Sequence, residues 1–120
     1  MKYFHALSAG YITLLRGARS AAMPAQGHLQ TALRVMLHKQ TPQAAIDAPR
    51  WRVVAGREVI VEPALGRNTI AALRAMGHQI MVEDPLQTYS FGGAQAIVRH
   101  PQGFWIAATE SRKDGQALVF

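Results

Sequence analysis

The chain has no cysteine. Disulfides, thiolate metal sites and cysteine nucleophiles are therefore excluded, and covalent chemistry would have to run through a hydroxyl, amine, carboxylate or imidazole. Charge is scarce as well, at 17% of residues against about a quarter in an average domain. Such a surface suits a chain partly covered by other protein. No run of Lys or Arg exists: 13 basic residues against 7 acidic give a net charge of +6, and the densest group is only Arg50, Arg52 and Arg57. An ordinary solvated surface is expected there rather than a polyanion site, and nucleic acid is not expected as a partner. No apolar stretch reaches the roughly 18 residues of a membrane-spanning helix. The segment from Tyr3 to Leu15 mimics a signal peptide, but His5, Ser8, Gly10 and Thr13 interrupt it and Arg16 and Arg19 follow. The expectation is a cytoplasmic chain by default, with no membrane partner.

What is present is a core. Hydrophobic residues make up 49% of 120, enough for one small domain and too much for a disordered chain. Phe4 to Leu15 reads as one or two strands with a break at Ala9-Gly10. Gly17 to Gly27 reads as a loop. From Leu29 the period changes: Leu29, Ala32, Leu33, Met36 and Leu37 predict an amphipathic helix to about Lys39. Thr41 as N-cap and Pro42 in the first turn open a second, short helix, which ends before Pro49. Trp51–Ala55 and Glu58–Glu62 read as paired strands around Gly56. Asn68 is the expected N-cap of a third helix with Ile70, Leu73 and Met76 as its buried stripe and Gly77 as its end. A strand over Gln79–Val82, a loop over Asp84–Tyr89 and a hairpin of Ala94–Val98 with Phe104–Ala108, turning at His100–Gly103, complete an α+β pattern.

Local constellations carry little chemistry on their own. His28, His38, His78 and His100 show no i, i+4 ligand spacing, so neither a metal nor another cofactor is expected. Gly92-Gly93 reads as a strand start needing close backbone approach rather than an anion cradle. Asp47 is expected to pair or cap beside Arg50, and nothing in the sequence draws Asp47, Glu110 and Asp114 together. Trp51 and Trp105 read as core or interface residues, not as stacking platforms for bases.

Three segments together resemble a known family. They are Gln26-Gly27-His28-Leu29-Gln30 with Thr41-Pro42-Gln43-Ala44-Ala45-Ile46-Asp47-Ala48-Pro49-Arg50-Trp51; Val61-Glu62-Pro63 with Gly77-His78; and Phe91-Gly92-Gly93-Ala94-Gln95-Ala96-Ile97 with Arg112-Lys113-Asp114-Gly115-Gln116-Ala117. In this order they are similar to the end of the small subunit of the gamma-glutamyltranspeptidase family, from about residue 22 to 117, with a possible extension upstream through His5. The resemblance implies part of an N-terminal-nucleophile-hydrolase-like sandwich, antiparallel strands packed with about three helices. It also implies gamma-glutamyl transfer or hydrolysis by a threonine whose hydroxyl attacks and whose own α-amine is the base.

Set against that family, this sequence departs in four ways. Thr13, Thr31, Thr41, Thr69, Thr88 and Thr109 are internal, and none stands in the nucleophile motif. Ser20 and Ala21 stand in the oxyanion-hole region where the family has Gly-Gly. His5 and Ala6 stand where prominent members have two substrate-contacting serines, which makes His5 a candidate substrate contact. Near the end, Glu110-Ser111-Arg112 replaces Asp-Pro-Arg. The expectation is a truncated fragment without independent activity and with no catalytic residue of its own. Its partner would be itself or an upstream-encoded chain that completes the fold, and it would meet gamma-glutamyl small molecules only when completed. The alternative is a homo-oligomeric or partner-binding module.

Overall fold

The computed structural model describes the backbone of residues 3–8, 11–16, 22–113 and 115–116, and the side chains of residues 25–87, 90–113 and 115–116. Strands β1 (Tyr3–Ser8) and β2 (Tyr11–Arg16) pair antiparallel, with His5 opposite Leu14. The break expected at Ala9 and Gly10 lies outside the described residues. Helix α1 (Ala22–Ala32) follows and continues as one π-helical stretch, Leu33–Leu37. Next come α2 (Pro42–Asp47), β3 (Trp51–Ala55), β4 (Glu58–Val61), α3 (Arg67–Ala75) and β5 (Gln79–Val82). A 3-10 segment, Pro85–Phe91, leads into β6 (Gly93–Arg99) and β7 (Trp105–Ala108).

The strands form two sheets: β1-β2-β6-β7, antiparallel throughout, and β3-β4-β5, in which β4 and β5 run parallel. The α+β class therefore holds, with one parallel pair among the antiparallel ones. Helix α2 lies on the first sheet, where Ile46 packs on Ala94, Ala96 and Ala108. Three alanines at the contact let a two-turn helix approach the strands closely. Helix α3 covers the second sheet, with Ile70 against Val59, Val61 and Ile80, and with Leu73 and Trp51 at the margin.

Several local expectations are corrected. Residues 22–27 belong to α1 rather than to a loop, because Pro24 sits in the first turn, where its missing N–H has no partner to lose. The helix does not run on regularly to Lys39. It widens to a π turn (His38 N–H to Leu33 C=O, 3.0 Å), and Lys39 reverses the chain at φ +55°. Asn68 does not cap α3. Gly66 takes that place at φ +88°, and its carbonyl accepts from Ile70 N–H. Met76 is 69% exposed, so only Ile70 and Leu73 of the expected stripe turn inward. The Asp84–Tyr89 stretch is 3-10 helical from Pro85 onward.

The largest departure concerns α1 and the stretch after it. The apolar stripe of Leu29, Leu33, Met36 and Leu37 is 42–65% exposed, whereas Gln30 and Thr31 on the same helix are buried. The cause is the edge of β3. Gln30 accepts from Trp51 N–H (3.1 Å) and donates to Trp51 C=O (2.7 Å), and Gln26 does the same for Val53 (2.7 and 3.1 Å). Four residues of α-helix rise about 6 Å and two of strand about 6.6 Å, so glutamines at i and i+4 match backbone groups at j and j+2. Two side-chain amides thus stand in for a neighbouring strand. Gln43 of α2 repeats the device on Thr109, just beyond β7 (3.1 and 2.9 Å).

Candidate functional site: a buried arginine–glutamate knot

Helix α2 ends because Ala48, preceding Pro49, is held extended. The chain then enters β3 with Arg50 turned inward, 2% exposed. Its backbone N–H donates to Glu62 (2.7 Å), and Glu62 N–H donates back to Arg50 C=O (3.0 Å). The Arg50 guanidinium donates to Phe91 C=O (3.2 Å), Gly92 C=O (3.3 Å), Ile46 C=O (3.4 Å) and Glu110 (2.6 Å). Glu110 also accepts from Ala94 N–H (2.7 Å) and from Arg112 Nη1 (2.6 Å). Arg112 clamps Glu62 through Nε and Nη2 and donates to Ile46 C=O (3.0 Å) and Ala48 C=O (3.1 Å).

Two guanidiniums and two carboxylates are thus interleaved with almost no water contact. Burial alone would push the Glu110 carboxyl up. The Arg50 charge and the hydrogen bonds from Arg112, Ala94 and Arg50 outweigh it, and the carboxyl is held below its usual range. Burial pulls the Arg50 guanidinium down, opposed by Glu110. Arg112 is likewise penalised by burial, but its bonds to Glu62 and Glu110 raise it. Both arginines remain charged. Gly92 and Gly93 lie against this knot, both buried. Gly92 has φ +73°, and a Cβ on Gly93 would fall 2.9 Å from Lys113 Cγ. The pair is a site of close approach, as its sequence suggested.

Chemically, the knot holds rather than reacts. Every Arg112 donor is engaged, and each carboxylate oxygen accepts at least once. It fixes the ends of α2, β4 and the 3-10 segment to the start of β6 and the turn after β7. Asp47 does not take part: it accepts from Gln43 (3.0 Å), and the partner expected for it, Arg50, turns to Glu110 instead. Of the arginine group at 50, 52 and 57, Arg50 is buried and Arg52 pairs with Glu83. Among the described residues no group of three or more His, Asp or Glu is placed to hold a metal.

Of the candidate contacts, His5 lies in β1 on the far side of β2 from β6. Ser20 and Ala21 lie outside the described residues. Glu62 was missed as a knot member. Its signal was an acid set between the buried Val61 and a proline, where a lone carboxylate needs a buried counter-charge. Two concavities flank the second sheet: one of about 570 Å³ beside β5, and one of about 250 Å³ beneath α3 bounded by Trp51, Leu73 and His78.

The sequence pattern of the family described as Gamma-glutamyltranspeptidase matches residues 5–120. The chain belongs to that family. The oxamate amidohydrolase proenzyme of Klebsiella pneumoniae is 35% identical over 106 residues, covering 79% of this chain and 19% of that protein. The cephalosporin acylase of Bacillus halodurans superimposes with a TM-score of 0.79 at 37% identity, over 88% of this chain and 19% of that one. Gamma-glutamyltranspeptidase of Pseudomonas nitroreducens, solved with L-DON, gives 0.75 at 18% identity over the whole chain and 62% of its own, a likeness of fold. This family member therefore spans about a fifth of the length of the first two relatives. The segments that carry the family resemblance meet at one point: Ile46, Ala48, Arg50, Glu62, Gly92 and Arg112 all belong to the knot. The Glu110-Ser111-Arg112 segment sets an acid and an arginine two residues apart, and both are used.

Proposed function

We propose that this chain is the C-terminal framework of an N-terminal-nucleophile hydrolase acting on gamma-glutamyl amides, and that alone it turns over no such substrate. The framework reading is carried by α1, which buries its glutamines and presents its leucines. A helix does this when a further layer of the fold covers its apolar side. The first sheet repeats the pattern: Ile97 and Trp105, on the face away from α2, are 47% and 54% exposed. In the family's four-layer sandwich that face meets a second sheet. The partner that completes the fold is an upstream-encoded segment or chain, and gamma-glutamyl small molecules bind only to the completed protein.

The inactive reading rests on the residues present. Thr31 donates to Gly27 C=O (3.0 Å) inside α1, and Thr41 caps α2. Neither is placed as an activated nucleophile. The inactive reading also takes Ser20-Ala21, which stand in place of the family's glycine pair, not to aim their backbone N–H groups at the oxyanion, and loss of such aim costs about two to three orders of magnitude in rate. Incubating the purified chain with gamma-glutamyl-p-nitroanilide tests this. Release no faster than in buffer is expected, and steady turnover that a threonine substitution abolishes would overturn it. A second reading, hydrolysis of a non-glutamyl amide, is favoured by the 35% and 37% identity to an oxamate amidohydrolase and a cephalosporin acylase. Joining the chain to the remaining length of either relative and comparing oxamate with the glutamyl anilide as substrates separates the two.

A further inference from the structure

Edge strands expose unpaired backbone groups that recruit further strands unless something blocks them. This molecule blocks two edges with glutamine amides, at β3 and just beyond β7. The outer edge of β5 receives no such cover among the described residues. Its inner side is occupied: Gln79 N–H donates to Arg57 C=O and Glu83 N–H to Val61 C=O, both at 2.9 Å, so the backbone groups of Gln79, Met81 and Glu83 face β4. Those of Ile80 and Val82 face outward by alternation. Only Ile80 C=O has a contact there, from Arg74 (3.0 Å), and a carbonyl has a second lone pair. The surroundings are apolar. Met76, Met81, Val82 and Leu86 are 43–86% exposed, and no lysine or proline interrupts Gln79-Ile80-Met81-Val82.

We propose that β5 is a self-pairing edge, at which a second copy of this chain adds its own β5 antiparallel about a two-fold axis at Met81. Ile80 then faces Val82 of the partner copy, and both outward-directed pairs of backbone groups are satisfied on each side of the axis. Charge selects this occupant and this direction. Arg57 and Arg74 stand at the strand's N-terminal end, Arg57 with its guanidinium beside Gly77, while the exposed Asp84 follows its C-terminal end, just after Glu83, which Arg52 and Ser90 already engage. Antiparallel pairing sets the basic end of one copy against the acidic end of the other, twice; parallel pairing would set like against like. The two Met81 side chains meet at the axis as a non-hydrogen-bonded pair, the closer of the two antiparallel pair types. The result is a six-stranded sheet with a glutamine-capped β3 at each end.

Because the chain has no cysteine, a single substitution reports the contact. Met81→Cys is expected to form a disulfide dimer under mild oxidation, whereas Leu37→Cys, equally exposed but remote from β5, is not. Light scattering on the wild-type chain should give twice the monomer mass at high concentration. Val82→Pro should return it to the monomer mass, since it deletes an outward N–H while leaving the bonds to β4 intact; an unchanged circular-dichroism spectrum confirms that the variant is folded. A wild-type chain that stays monomeric, a dimer indifferent to Val82→Pro, or Met81→Cys crosslinking no faster than Leu37→Cys would each overturn the proposal.

Discussion

Glu110 shows how one side chain can hold a fold together without taking part in chemistry. Its two oxygens accept from Arg50, Arg112 and the Ala94 N–H, joining elements that lie far apart in the chain. Removing one partner of a buried pair leaves the other charge stranded, which costs about 3–5 kcal/mol. Glu110→Gln, nearly the same shape, is therefore expected to lower unfolding stability by about that much in urea titrations at neutral pH. The sign of the pH dependence follows from the lowered folded-state pKa. The unfolded chain takes up the proton first, near the ordinary value of 4.5. The stabilisation is thus complete above that value and drains away as pH falls through the lowered folded one. Denaturation midpoints measured from pH 7 to pH 3 should fall for the wild type and flatten for Glu110→Gln. A variant with the wild-type slope would mean that another carboxylate carries the acid sensitivity.

The glutamine pair on α1 is the corresponding device at the level of elements. Gln30→Ala removes both partners of Trp51's backbone groups, a penalty of about 1–3 kcal/mol for polar groups left unpaired away from water. Gln30→Glu keeps an acceptor for the N–H but sets an oxygen against the Trp51 carbonyl, so it should also destabilise. Gln26→Ala, nearer solvent, should cost less. Chemical denaturation followed by tryptophan fluorescence ranks the three. The same helix marks the limit of what the sequence reveals. Short-range chemistry was legible: Thr41 caps α2 through Ala44 N–H, Gly77 ends α3 at φ +89°, and the His100–Gly103 turn closes β6 on β7 with His100 stacked on Phe104. The periodicity of Leu29, Leu33 and Leu37 was legible too, but which side of the helix faces this chain was not. A hydrophobic stripe reports that something covers it, not that the covering protein lies within the same 120 residues. The knot was half legible for the same reason: Glu62, Arg50 and Arg112 each stand in a recognisable segment, but their meeting depends on how two sheets are joined.

At the scale of the molecule, the apolar stripe of α1 and of the stretch after it stands open among the described residues. That makes a prediction with an unusual sign. Replacing buried leucines by charged residues ordinarily costs several kcal/mol, because the site loses its packing and a charge must be desolvated. Leu33 and Leu37 are 42% and 65% exposed, so the double variant Leu33→Glu, Leu37→Lys should leave unfolding stability within about 0.5 kcal/mol of wild type, as for ordinary surface substitutions. It should also reduce binding of the apolar dye ANS and raise solubility, since an exposed apolar patch is being removed. A loss of about 2 kcal/mol or more would show that the stripe is packed within this chain after all, and would remove the main support for its role as a framework awaiting another layer.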